Sequence, residues 1–188
     1  MPRERRRTIT EPRALEALAH PVRLALIEHL MASGPATASA CARAVGDSPS
    51  NCSYHLRVLA ELGLVGEAGS DDGRERPWQA LITGLRTPAG ESGEPMSPEE
   101  SKLAAISLQR DQHRARDYLA RRDEEPAEWR RADFYGSYIV AVTPGELTEL
   151  TAALDAVIRP YIAATRERTV PEAQLVHVNV QAFPVALS

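Results

Sequence analysis

The stretch that most constrains this chain runs Ser48-Pro49-Ser50-Asn51-Cys52-Ser53-Tyr54-His55-Leu56-Arg57-Val58-Leu59-Ala60-Glu61-Leu62-Gly63. Ser48 before Pro49 is a helix start, a side-chain cap followed by a residue that needs no amide partner at the first helical position. Gly63 supplies the stop. Between them Cys52, Leu56, Leu59 and Leu62 recur at helical spacing and predict one inward face. Ser50, Asn51, Ser53, Tyr54, His55 and Arg57 are read as the outward face. These hydrogen-bonding side chains with few carboxylates suit base edges and phosphates. A second helical pattern, Ala38 to Val45, ends at Gly46 just upstream. Two short helices joined so closely read as a helix-turn-helix with recognition helix 49–62.

The flanks extend this unit. Leu64 to Ala68 predicts a strand, Gly69 to Gly73 a turn, and Arg74 to Leu81 a returning strand, which makes a wing. Asp71 and Asp72 put negative charge at its tip, so Arg74 and Arg76, nearer its base, are the expected phosphate contacts. Trp78 reads as packing for the wing. Upstream, Thr10 is expected to cap a helix Glu11 to Ala19. His20-Pro21 then breaks the chain into a scaffold helix Val22 to Ala32, with Leu24, Ile27 and Leu30/Met31 inward. Residues 1–10 hold Arg3, Arg5, Arg6 and Arg7 against one Glu4: a solvated end, or an arm that orders along phosphates.

Three separate blocks carry a resemblance: Ala17-Leu18-Ala19-His20-Pro21-Val22-Arg23-Leu24-Ala25-Leu26-Ile27, then Ser53-Tyr54-His55-Leu56-Arg57-Val58-Leu59, then Gly63-Leu64-Val65. In these the first half of the chain resembles the ArsR family of winged helix-turn-helix regulators. The resemblance implies a homodimer that binds double-stranded DNA, often a repressor released by an effector. It also raises metal sensing, which in that family uses clustered cysteines before the recognition helix or Asp and His ligands on a C-terminal helix. Cys41 has no nearby cysteine partner, and Asp111 with His113 lacks a second histidine at the expected distance. Zinc needs about four placed ligands, so no metal site and no cofactor are expected.

Residues 87–96 hold three loop-forming residue types, Gly, Pro and Ser, without periodicity and mark a linker between a domain at 1–86 and a second at 97–188. Residues 1–86 carry 11 basic and 10 acidic side chains, net +1, whereas residues 87–188 carry 11 and 16, net −5. DNA would repel the second half, which is expected to face away from it and to dimerise. Ser97-Pro98-Glu99-Glu100 is a capping box that opens a long charged helix to about Arg122. Ala132 to Val142 and Leu175 to Phe183 alternate as strands. Between them Thr143 to Glu146 opens an amphipathic helix with Leu147, Leu150, Leu154, Val157, Ile158 and Tyr161 on one face, kinked near Pro160. Strand, helix, strand predicts a small βαβ unit. The fold class is thus α+β: an N-terminal winged helix-turn-helix, a long helix and a small βαβ C-terminal domain. Tyr118, Trp129, Phe134, Tyr135, Tyr138, Tyr161 and Phe183 there pack a core, with room for a small-molecule effector pocket.

Other classes fit less well. None of His20, His29 or His177 stands at a recognisable spacing from a nucleophile and an acid, and there is no Gly-rich phosphate loop, so an enzyme is not expected. Cys41 and Cys52, the only cysteines, read as small buried apolar residues, with a redox switch as the minor alternative. No long apolar run or apolar N-terminus is present, which predicts a cytoplasmic chain without a membrane partner. The reading is a sequence-specific transcriptional regulator that represses from an inverted-repeat operator. Its alternative is a winged helix that contacts only proteins.

Overall fold

The computed structural model describes residues 6–9, 11–69, 76–82, 84–86, 93–165 and 172–186. Arg3, Arg5, Thr10, Arg74, the wing tip and residues 87–92 of the linker lie outside them. The chain divides into two units, residues 1–107 with 162–173, and residues 108–161 with 174–188. This division falls inside the long helix rather than at the linker.

The first unit opens with β1, Arg6–Thr8. Helix α1 spans Pro12–Leu18 and α2 spans Pro21–Ser33, each with proline in its first turn and no side-chain cap. Helix α3, Ala38–Val45, is capped by Thr37, whose hydroxyl accepts from the Ala40 amide at 3.2 Å. Gly46 ends it in the left-handed region at φ 72°, which a side chain would strain. Helix α4, Pro49–Glu61, starts two residues later, capped by Ser48 Oγ accepting from the Asn51 amide at 3.2 Å. Strands β2, Val65–Glu67, and β3, Trp78–Ala80, pair antiparallel with Val65 opposite Ala80 and Glu67 opposite Trp78.

One apolar core joins these pieces. Leu18, Leu26, Ile27, Leu30, Leu56, Leu59, Leu64, Cys41 and Cys52 are fully buried. Each such leucine stabilises the fold by about 1.5–3 kcal/mol. Leu26 is buried beside the expected Leu24, Ile27 and Leu30, so α2 is enclosed on a wider arc than a single stripe. The wing is tied to the helices through Ala36 and Trp78, which exchange backbone hydrogen bonds of 2.9 and 2.8 Å. Trp78 is half-buried against the core, as expected of a packing residue. Cys41 and Cys52 are free and buried, and burial pushes the Cys41 thiol up to about 11 and raises Cys52. Burial thus favours the thiol over the reactive thiolate in both.

Strand β4, Gly84–Arg86, pairs in parallel with β1, Arg6 opposite Gly84 and Thr8 opposite Arg86. For residues 6–8 the expectation of a solvated, unstructured end is therefore corrected: their backbone forms a ladder. Helix α5, Pro98–Arg121, begins with the expected reciprocal cap. The Ser97 amide donates to Glu100 Oε2 at 2.8 Å and the Glu100 amide donates to Ser97 Oγ at 3.1 Å. Its first turns belong to the first unit, where Leu103 is buried and Ile106 packs on the core.

In the second unit α5 runs on into a 3-10 turn, Arg122–Glu124, then α6, Ala127–Ala132, and α7, Pro144–Ala164, with Pro160 inside it. Asp133 holds the first corner: it accepts from Arg122 Nε at 2.7 Å, Arg122 Nη2 at 3.2 Å and Tyr118 Oη at 2.8 Å. The expected capping box of α7 is present, Thr143 N donating to Glu146 Oε2 at 2.7 Å.

The strands expected over 132–142 and 175–183 do not form in this chain. Residues 133–143 and 173–186 run without helix or strand, so the βαβ arrangement is absent among the described residues. A strand exists only with a neighbour to take its N–H and C=O groups, and neither segment has one. Segment 173–186 is held by side chains instead, with Asp111 accepting from Asn179 Nδ2 at 2.9 Å and lying 3.2 Å from His177 Nε2. Beyond Leu103 no described residue is buried. The architecture is mainly helical, with two small two-stranded sheets.

Candidate nucleic-acid interface

Helix α4 packs on α2 and α3 and leads into β2. Its inward stripe is Cys52, His55, Leu56 and Leu59, all buried. Those positions follow the i, i+3, i+4, i+7 rule of a helix face. The expectation for His55 is thus corrected: it is 5 % exposed and lies on the inward side, not the outward one.

What α4 leaves outward is Ser50, Asn51, Tyr54 and Arg57, all exposed, with Ser53 half-buried. Tyr54 is 59 % exposed. Asn51 is oriented within the turn, because its Nδ2 donates to Asp47 Oδ2 at 2.7 Å. Asp47 also accepts from the Ser48 amide at 2.6 Å. That amide hydrogen bond, and then the one from Asn51, hold its carboxyl below the usual carboxylate range.

An open groove of about 410 Å³ separates this face from the wing. Thr37, Ala38 and Ser39 from the start of α3 line it, with Ser53 and Arg57 from α4, and Glu67, Arg76 and Trp78 from the wing. Hydroxyls and two guanidiniums along one trough suit the polar, charged outline of a phosphate backbone. Arg76 lies 3.5 Å from Glu67, both well exposed. Such a surface pair is worth little, and a phosphate can displace the carboxylate. Of the arginines expected at the wing, Arg76 lines the groove and Arg74 falls outside the described residues.

Behind α4 is a pair that polarity alone did not reveal. His55 meets His20, the residue before α2, with ring centroids 4.5 Å apart and planes inclined at 42°. Tyr54 stands edge-on to His55 at 5.1 Å. Burial lowers the pKa of both histidines, and nearby Arg23 lowers each further.

A family model described as a helix-turn-helix domain matches residues 18–66. Residues 18–66 are thus similar in sequence to a helix-turn-helix domain. The match begins at Leu18 and ends just inside the wing, so it covers α2, α3 and α4. Among solved structures the chain is similar to the homodimeric winged helix-turn-helix DNA-binding domain (fragment 1–100) of a Mycobacterium bovis protein, described as a possible ArsR-family transcriptional regulator. The two are 26 % identical, with a TM-score of 0.34, over 54 % of this chain and 78 % of that one. No curated protein matches. Among the described residues no group of three His, Cys, Asp or Glu side chains is placed to hold a metal ion. No helix there is long and apolar enough to cross a membrane.

Proposed function

We propose that this chain is a sequence-specific DNA-binding transcriptional regulator that acts as a homodimer, most simply as a repressor on an inverted-repeat operator. One observation carries the reading. Helix α4 turns an exposed row of Ser50, Asn51, Tyr54 and Arg57 outward while Cys52, Leu56 and Leu59 fix it from behind. In this reading α4 enters the major groove, Asn51 and Arg57 read base edges, and Ser50, Ser53 and Tyr54 support them. Arg76 and Arg74 contact phosphates at the wing. His55 serves by holding the helix in place and not by touching bases.

The homodimer is supported by the second unit. Phe134, Tyr138, Tyr161, Val176 and Phe183 are each at least 65 % exposed there, and the unit contains no buried residue among those described. Large apolar surface of this kind marks an interaction site. A second copy covers it in this account, and a dimer is what lets two recognition helices reach successive major grooves about 34 Å apart. An effector, if the regulator answers to one, binds in the same half.

Selection of duplexes from a randomised library tests this. Two inverted half-sites about one helical turn apart are expected, from a protein that sediments as a dimer. A protein that enriches no duplex and binds no DNA at low salt is a winged helix for protein contacts only.

A further inference from the structure

We propose that His20 and His55 form a pH-sensitive latch between the start of α2 and the recognition helix, so that mild acid releases α4 from its DNA-binding position. The inference rests on the DNA-binding reading above and names a regulation of the same site.

The geometry carries it. The two rings are in contact, at 4.5 Å between centroids. The Nδ1 atom of each is buried, and neither has a hydrogen-bond partner among the described residues. A neutral imidazole tolerates this as the tautomer with its proton on Nε2. A second proton must go on Nδ1, which places a buried N–H where nothing accepts it and a positive charge against the neighbouring ring. The surrounding groups oppose that charge more than they help it. Arg23 on α2 faces both rings and Lys102 on α5 faces His20, while Asp47, in the turn before α4, is the one carboxylate that favours the cation. Tyr54 stands with its ring edge-on to His55.

The direction follows from linkage. Both histidines are held below their ordinary value of 6.5, by burial first. The folded chain therefore binds fewer protons than the unfolded one as the pH drops below that value. The contribution of the two neutral histidines to the stability of the α2–α4 contact is present in full above pH 6.5 and is lost as the pH falls through the depressed folded values. Opening the contact frees both imidazoles to take up protons, so acid favours the open form, in which α4 is no longer held against α2.

The test uses the full-length protein and a tetramethylrhodamine-labelled duplex selected at about pH 7.5, titrated by anisotropy at constant ionic strength down to about pH 5.5. Affinity is expected to fall by about tenfold. Protonation of exposed histidines acts in the opposite sense, since added positive charge strengthens phosphate binding. The double substitution His20→Asn and His55→Gln removes both titrating groups and is expected to flatten the profile to within about twofold. Should that variant fail to fold, proton NMR of the unsubstituted protein decides. The Cε1–H resonances of His20 and His55 are expected to titrate below 6.5, with the amides of α4 moving at the same midpoint. Titration of either histidine at or above 6.5, or affinity that holds or rises toward acid, overturns the latch. If no duplex is selected at any pH, the DNA-binding reading fails, and the NMR titration still decides whether the latch exists.

Discussion

Replacing Leu56 with alanine is expected to destabilise the helical unit by about 2–5 kcal/mol, and to remove most DNA binding with it. Leu56 is wholly buried, and its neighbours on the stripe, Cys52 and Leu59, are too. It sits where α4 packs on α2 and α3, so the truncated side chain leaves a cavity between three helices that cannot collapse independently. A domain of this size has about 5–15 kcal/mol of stability in all, so the loss is a large share of it. Arg57, one residue on and exposed, makes the contrast: Arg57→Ala is expected to change stability by no more than about 0.5 kcal/mol. Urea denaturation of the full chain separates the two, with the midpoint falling for Leu56→Ala at an unchanged slope. An unshifted midpoint would mean that α4 is rotated about its axis from the position described.

Asn51→Ala is expected to cost about 1–3 kcal/mol on a selected duplex and almost nothing on random DNA. The side chain is exposed and contributes nothing to the core. Its side-chain hydrogen bond to Asp47 orients an amide that can pair with adenine through two hydrogen bonds once in the groove. The cap of α4 survives the substitution, because it uses the Asn51 backbone amide and the Ser48 hydroxyl. Fold and general DNA affinity are therefore expected to persist while base discrimination is lost. An equal loss on selected and random duplexes would make Asn51 a backbone contact and shift the reading of bases to Arg57.

The helical unit was legible in the sequence because its signals are local. Ser48, Ser97 and Thr143 each cap the helix that their spacing announces, and Gly46 ends α3 as written. Polarity points His55 outward, but spacing decides its side. It falls at i+3 from Cys52 and one residue before Leu56, squarely on the apolar stripe. Its contact with His20 crosses 35 positions of sequence and has no local signature.

The sheets tell the same lesson from the other side. Strand β1 finds β4 across most of the first unit, and nothing in either triplet names the other. In the second unit, the alternation around Phe134 to Val142 and Val176 to Val180 reports side chains suited to one-sided burial, but it does not say against what. Within one chain these side chains stay exposed and no ladder forms. Periodicity identifies a surface that is to be covered; the partner that covers it is a separate fact.

The account's central claim is that the face of α4 and the adjoining wing groove form a DNA interface. Fluorescence anisotropy of the full-length protein on a selected duplex, at about 50 and 200 mM salt, tests it most directly. Specific binding that weakens steeply with salt is predicted, with a slope that Arg76→Ala reduces by about one while leaving sequence preference unchanged. No binding at the lower salt concentration, or binding indifferent to salt, would contradict it.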